Sequence, residues 1–337
     1  MTGPSAGRRT RFAPAPTGYL HLGHVANAIH VWGMASQAAG GRIVLRIEDH
    51  DRGRCRPTYD EAILEDLAWL GFVAEEGPVR QSDDDAPYLA ALDRLRDDGL
   101  VYGCDCSRTT FEVWADERGR RWHGPGCPGD CRRRELEGPV QRVALGGGSE
   151  RWMDELVGPC TDEVASGGDP PIRDRSGHWT YGFAVVVDDL RQDVDLVIRG
   201  RDLLHATAAQ IRLGQILGRE APATFAHHRL VRRPDGRKLS KADGDTSVRD
   251  LRAAGRTPAE LIGDAAAAGG ATLGGQPVVG SIVRRLGRRE NPRSAVASMA
   301  PCSVGSAARY ASINTGPRIA DVSGGYAGSV RSSISQA

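Results

Sequence analysis

RTRFAPAPTGYLHLGHVANAIHVWGMASQAAGGRIVLRIED, residues 9–49, decides the fold class. Its opening, RRTRFAPAP from residue 8, reads as a short strand entering a proline-punctuated turn. Val25, Ala28, Ile29, Trp32 and Ala35 then recur at the spacing of one buried helix face, and Gly40-Gly41 supplies a stop. RIVLRIED is nearly continuous apolar text, as a strand covered on both faces requires. Strand, helix, strand in this order predicts an α/β fold, a parallel sheet with helices across its faces.

Working outward, DEAILEDLAWLG repeats the helical spacing at Ile63, Leu64, Leu67 and Leu70 and closes at Gly71. PYLAALDRLRDDG gives another helix and LVY a short strand. Residues 104–175 break the rhythm with cysteines, Pro-Gly turns and the triple glycine 146–148, so they read as an insertion. YGFAVVVDDL and DLVIRG are both strand-like, RDLLHATAAQIRLGQILG is a helix ending at Gly218, and HHRLVRRPDGRK is a strand entering a Pro-Asp-Gly turn. TPAELIGDAAAAGG is a helix with Pro258 in its first turn. The expected organisation is a sheet core in two halves, 9–103 and 176–245, split by the insertion. A short helical segment, 246–270, and a poorly ordered Gly-, Ser- and Ala-rich tail, 271–337, follow.

The bulk numbers set limits. A chain of 337 residues with 40% hydrophobic and 26% charged residues builds an ordinary globular core. A net charge of +1 gives no global field, so any nucleic-acid contact must come from local patches. MTGPSAGRRTRFAPAP lacks an apolar leader core and no apolar run is long enough to span a bilayer, which predicts a cytoplasmic protein without membrane contact. Of seven cysteines, four crowd into residues 104–131, which suits a metal site better than a disulfide framework. Cys104 and Cys106 in C-x-C spacing, with Cys127 and Cys131 in C-x3-C spacing, can close one tetrahedral zinc site of structural type.

Two motifs carry chemistry. In PAPTGYLHLGH, His21 and His24 straddle Gly23 where a turn meets a helix, and a helix N-terminus favours phosphate oxygens. Gly23 leaves room for a base or phosphate against the backbone. Alone, HxGH fits either nucleotide chemistry or an ordinary helix start. The second motif is KLSK. Lys238 and Lys241 are the only lysines, so 42 of the 44 basic side chains are arginine. A mobile ammonium can follow a phosphate as it leaves, where a planar guanidinium fork fits less well. The bland alternative is a solvated basic turn.

HLGH and KLSK, on two halves of a parallel sheet, resemble the HIGH and KMSKS signatures of class I aminoacyl-tRNA synthetases, which implies a Rossmann-type catalytic core. RFAPAPTGYLHLGH, LRIEDHD, TYGFAVVVDD, VIRGRDLL and RKLSK together, from residue 9 to roughly 265, are similar to the glutamyl-tRNA synthetase catalytic core. With 96 residues after Lys241, the chain is most similar to the short members of that family, the glutamyl-queuosine tRNA(Asp) synthetases.

The resemblance implies a glutamate pocket of Arg11, Phe12, Ala13, Pro14, Ala15, Glu48, Tyr181 and Arg199. It implies ATP contacts from His21, Gly23, His24 and Lys241, and catalytic roles for His21, His24, Lys238 and Lys241. The insertion carries zinc in that family, with a tyrosine commonly in the place of Cys127; KLSKA departs from the usual final serine. The implied activity is ATP-dependent activation of glutamate without tRNA, with Mg2+ accompanying ATP. Glutamate then passes to the queuosine base of tRNA(Asp), and a monomer is expected. A short glutamyl-tRNA synthetase charging the 3′ end of tRNA(Glu), a nucleotidyltransferase and a non-catalytic tRNA-binding paralogue are the alternatives.

Overall fold

The computed structural model describes residues 7–37, 40–117, 126–232 and 246–270, and the backbone of 272–273 and 276–277. The expected KLSK loop, and the expected tail apart from 272–273 and 276–277, therefore lie outside the described residues. Strand β1 (Arg9–Phe12) leads through the Pro-Ala-Pro turn into α1 (Leu22–Ala35), and β2 (Arg42–Ile47) follows in parallel register, with Thr10 beside Ile43. Helix α2 (Pro57–Leu70) starts with proline, whose missing N–H costs nothing there, and ends at Gly71 in the left-handed conformation. Strand β3 (Glu76–Arg80) then flanks β2, and α3 (Ala86–Asp97) follows.

Strand β4 (Val101–Cys104) was expected to extend this alternation, but it belongs to a second, antiparallel sheet. Helices α4 (Arg108–Glu117) and α5 (Asp130–Arg133) come next, then β5 (Val140–Val143), which pairs with β4 and later with β8 (Pro171–Arg173). Between them, β6 (Ser149–Asp154) and β7 (Gly158–Glu163) form a hairpin whose first strand pairs in parallel with the central sheet. The segment read as a separate insertion thus adds two strands to the core sheet. Its alternation is hidden in the sequence because β7 is polar, exposed edge text.

YGFAVVVDDL is not a strand but helix α6 (Tyr181–Arg191). Its valines favour strands, yet Phe183, Ala184 and Val187 share one helix face and the helix is buried from Phe183 to Asp189. Burial on several sides erases the polar stripe that marks a helix, and packing overrides the local preference of valine. Strand β9 (Leu196–Gly200), α7 (Thr207–Ile216) and β10 (Thr224–His228) complete the sheet; α8 (Val248–Ala253) and α9 (Pro258–Gly269) follow. Thr257 caps α9 and receives a reciprocal bond pattern with Glu260.

The seven-stranded order is β3-β2-β1-β9-β10-β6-β7. Leu196 and Ile198 face α1, α2 and α9 in one core, while Val197 faces α7 and Trp152 in another, so β9 is apolar on both sides. Each such side chain buried contributes roughly 1.5–3 kcal/mol. Connections run from β1 to β2 in one direction, and β9 enters on the other side of β1. The switch point between β1 and β9 is where a doubly wound sheet opens a crevice at its carboxyl edge.

Candidate active site

A cavity of about 470 Å3 lies at that switch point. Arg11 to Ala15 line it from the end of β1, Glu48 from the end of β2, and Arg199 and Gly200 from the end of β9. His21, Gly23 and His24 enter from the start of α1, and Tyr181 from the start of α6. The expected glutamate and ATP residues that are described are therefore brought together around one space. Lys238 and Lys241 lie outside the described residues.

The start of α1 fixes the chemistry of its histidines. His21 Nδ1 accepts the Gly23 backbone N–H at 3.0 Å, and His24 Nδ1 accepts the His21 backbone N–H at 3.1 Å. A ring nitrogen that accepts carries no proton, so each imidazole is neutral with its proton on Nε2. Both rings can donate from Nε2, and their centroids stand 3.9 Å apart. A Cβ at Gly23 would lie 2.8 Å from the His21 ring, so a side chain there would push that ring out of its capping position. That reason adds to the one read from sequence.

The opposite wall is a buried charge lattice. Arg11 Nε donates to Asp189 at 3.1 Å and its Nη1 to the Ile198 carbonyl at 3.1 Å. Arg46, fully buried, donates to Asp189 at 2.8 Å, Glu48 at 3.3 Å and Gln192 at 2.9 Å. Burial opposes the Arg46 charge, but Asp189, Glu48 and Asp188 outweigh it and hold its pKa above the ordinary value. Asp188 is tied by Tyr88 at 2.9 Å and Gln81 at 2.6 Å. Burial pushes the Glu48 carboxyl up, against the pull of Arg46, His50 and Arg11.

Arg199 is held from three sides. Its Nε donates to His227 Nε2 at 2.9 Å and its Nη2 to Thr207 Oγ1 at 2.8 Å, while Nη1 reaches Gln210. His227 Nδ1 faces Asp154 Oδ2 at 2.5 Å. His227 must be neutral with its proton on Nδ1, and burial together with Arg199 and Arg11 lowers its pKa accordingly. Burial likewise lowers the pKa of Arg199, and Arg11 nearby lowers it further. Two buried guanidinium groups that repel each other, beside a carboxylate that burial destabilises, form a cavity suited to a zwitterion with excess negative charge.

Sequence reading missed this second layer. Asp189, Asp154, Thr207 and His227 orient the pocket arginines, yet none of them was named as a site residue, although Asp189 ends the quoted block TYGFAVVVDD. Consecutive aspartates in the apolar run YGFAVVVDDL were the available signal, since acids placed there need buried partners. Asn27 and His228 also line the cavity, with His228 Nε2 3.1 Å from Asn27 Oδ1.

The cysteine set closes as expected. Cys104, Cys106, Cys127 and Cys131 are buried, and their sulfurs all lie within 4.8 Å of one another. Cys106 Sγ stands 3.4 Å from Cys131 Sγ and 3.9 Å from Cys127 Sγ. Zinc–sulfur bonds of about 2.3 Å in a tetrahedron put sulfurs about 3.8 Å apart, so the donor set fits such an ion. Arg175 Nη2 braces the first pair by donating to the Asp105 and Cys106 carbonyls at 2.9 and 3.0 Å. Cys55 and Cys160 lie outside the set.

Comparisons with known proteins agree with this geometry. The family described as tRNA synthetases class I (E and Q), catalytic domain, matches residues 8–274. A protein of Symbiobacterium thermophilum named Glutamyl-Q tRNA(Asp) synthetase is 39% identical over 287 residues, 80% of this chain and 88% of the relative. One of the same name from Rhodobacter capsulatus is 38% identical, over 75% of this chain and 97% of the relative. Glutamate--tRNA ligase 2 of Halorhodospira halophila is 40% identical over 75% of this chain, which spans only 55% of that relative. A crystal structure of a glutamate tRNA ligase from Elizabethkingia meningosepticum, in complex with its amino acid, superposes with a TM-score of 0.59 at 30% identity, covering 71% of this chain and 53% of that one. With the profile matched across the whole sheet and its switch-point cavity, the chain belongs to the class I tRNA synthetases of the E and Q type, ligases of the aminoacyl-tRNA synthetase class.

Proposed function

We propose that the protein activates glutamate with ATP in the absence of tRNA and transfers it to the queuosine base in the anticodon of tRNA(Asp). The observation that carries the activation half is the convergence of Arg11, Arg199 and Glu48 on one cavity beside the α1 N-terminus. Arg11 and Arg199 take the substrate's carboxylates, and Glu48 takes its ammonium. Arrival of that ammonium supplies the positive partner that offsets the burial of Glu48. Tyr181 closes the pocket wall and Phe12 to Ala15 shape the floor.

The glutamate α-carboxylate attacks the α-phosphorus of ATP, forming a mixed anhydride and releasing pyrophosphate. No covalent enzyme intermediate is needed; positioning and charge stabilisation lower the barrier. His21 and His24 donate from Nε2 to α-phosphate oxygens as they gain charge, and Gly23 lets the nucleotide approach the helix end. Lys238 and Lys241 are assigned to the departing pyrophosphate on the resemblance alone. Mg2+ accompanies ATP, and a structural zinc ion held by the cysteine set stabilises its sheet. A nucleotide hydroxyl then attacks the glutamyl carbonyl and releases AMP.

The choice of acceptor rests on the relatives named Glutamyl-Q tRNA(Asp) synthetase, which align along 88% and 97% of their own length. The test is glutamate-dependent ATP–pyrophosphate exchange without tRNA, across several amino acids. Exchange with glutamate alone, followed by labelling of queuosine-containing tRNA(Asp), is the expected result. Exchange that appears only with tRNA(Glu) would replace the acceptor with the 3′ end of that tRNA.

A further inference from the structure

Three arginines mark the mouth of the cavity on its β9–β10 side. These strands pair in parallel with His228 opposite Gly200, so the next residues, Arg201 and Arg229, leave the carboxyl edge of the sheet side by side. Arg232 follows three residues on, and all three side chains are exposed. With Asp202, Leu230 and Ala268 they line a broad opening of about 880 Å3. Asp202 and Leu230 also line the catalytic cavity, so the two spaces adjoin.

The charge here is local. Among the described residues that line the opening, three carry guanidinium groups and one, Asp202, a carboxylate, in a chain whose net charge is only +1. Arg201 is aimed by its own Nε, which donates to the His227 carbonyl at 3.3 Å. The α1 histidines that face a nucleotide enter from β1, across the cavity from this edge. Solvent-exposed guanidinium groups hold a lone phosphate weakly, since water and salt screen them. Several together, spaced along an opening, suit a strand of linked phosphates.

We propose that Arg201, Arg229 and Arg232 grip the sugar-phosphate backbone of the RNA strand whose accepting nucleotide enters the cavity. The inference rests on the proposed function for the existence of an RNA acceptor. It identifies the contacts that position that acceptor, with phosphodiester chemistry and no base readout. The phosphates of ATP share this chemistry, and the experiment separates the two sources.

The full chain is compared with R201Q, R229Q and the triple variant R201Q/R229Q/R232Q, each checked for an unchanged thermal transition. ATP–pyrophosphate exchange without tRNA, glutamate transfer to queuosine-containing tRNA(Asp), and tRNA binding across about 50–200 mM salt are measured. We expect exchange within about twofold of the parent, and tRNA affinity at the low-salt end reduced at least about tenfold in the triple variant. Its log–log salt slope should be shallower by about 2, close to 0.7 for each lost phosphate contact on a single strand. Exchange that falls in step with transfer would assign the arginines to ATP and overturn the proposal. An unchanged salt slope would overturn it as well. A parent that exchanges no glutamate would defeat the proposed function instead, and the binding slope would still decide whether this edge grips RNA.

Discussion

His227 stands between Asp154 and Arg199, with Nδ1 2.5 Å from the Asp154 carboxylate and Nε2 2.9 Å from the Arg199 Nε. The carboxylate dictates which face of the ring accepts, and thereby where the guanidinium points.

Asp154→Asn tests this relay without emptying the site. Asp154 Oδ1 already accepts the Leu156 and Val157 backbone N–H groups at 3.0 and 2.9 Å, so an asparagine oxygen stays there and its amide is forced toward His227. The ring must then carry its proton on Nε2, facing the Arg199 N–H, donor against donor. The KM for glutamate in exchange should rise about 10–100-fold with kcat changed less, the loss of one charged hydrogen bond in a buried site. His227→Gln, whose side-chain oxygen can reach the Nε2 position, should keep most of the parent affinity. Equal losses in both variants, or an effect on kcat alone, would reduce the relay to ordinary packing.

At the start of α1, asparagine and glutamine separate two duties of His24. His24→Asn can keep an acceptor near Nδ1 for the His21 N–H while losing the Nε2 donor. His24→Gln can place a donor near Nε2 while losing the cap. If Nε2 donation stabilises the phosphoryl transition state, His24→Asn should lower kcat for exchange by about 10²–10³ with little change in thermal stability. His24→Gln should retain more activity and melt lower, by about 1 kcal/mol of lost cap. The opposite ranking would make His24 a helix cap only.

The parts of the fold that were legible are those where residue type and spacing agree. Val25, Ile29 and Trp32 announce α1, although it is buried nearly all round, because alanines rather than a run of valines stand between them, and RIVLRI announces β2 because both faces are covered. YGFAVVVDDL misled because valine favours strands and the helix it forms is buried from Phe183 to Asp189. The β6–β7 hairpin was hidden by polar edge residues. Cys104, Cys106, Cys127 and Cys131 were readable from spacing, since metal geometry limits how far apart in sequence each pair of ligands sits. The partnership of Asp154 with His227 was not, because 73 residues separate them and only the β6–β10 pairing brings them together.

The cysteine cluster makes a stoichiometric prediction. Protein purified without chelator should contain about one zinc per chain by elemental analysis, and Cys106→Ser should lower that content. Stripping the metal should lower the melting temperature on the order of 10 °C, because the small β4-β5-β8 sheet and the Cys127–Cys131 turn then lose their common anchor. A metal-free chain that melts at the parent temperature would mean that the packing of the buried thiols already suffices.

Asp66 gives a pH dependence of defined sign. It is fully buried on α2, and neither carboxylate oxygen has a hydrogen-bond partner among the described residues; Arg249 Nε stands 4.0 Å away. Burial pushes its pKa up to about 6, against the pull of Arg249 and Arg252. An acid whose folded pKa is raised binds its proton more tightly in the native state. Its penalty is therefore absent below the ordinary value of 3.8, grows as pH rises through about 6, and is constant beyond. Asp66→Asn keeps the volume and removes the charge. It should stabilise the protein at pH 8 by on the order of 2–3 kcal/mol, the free energy of about two pKa units, and should be nearly neutral at pH 4. Melting curves of parent and variant at the two pH values decide the matter. An equal gain at both would trace the effect to packing, and a loss at pH 8 would show that the attraction to Arg249 and Arg252 outweighs the cost of burying the carboxylate.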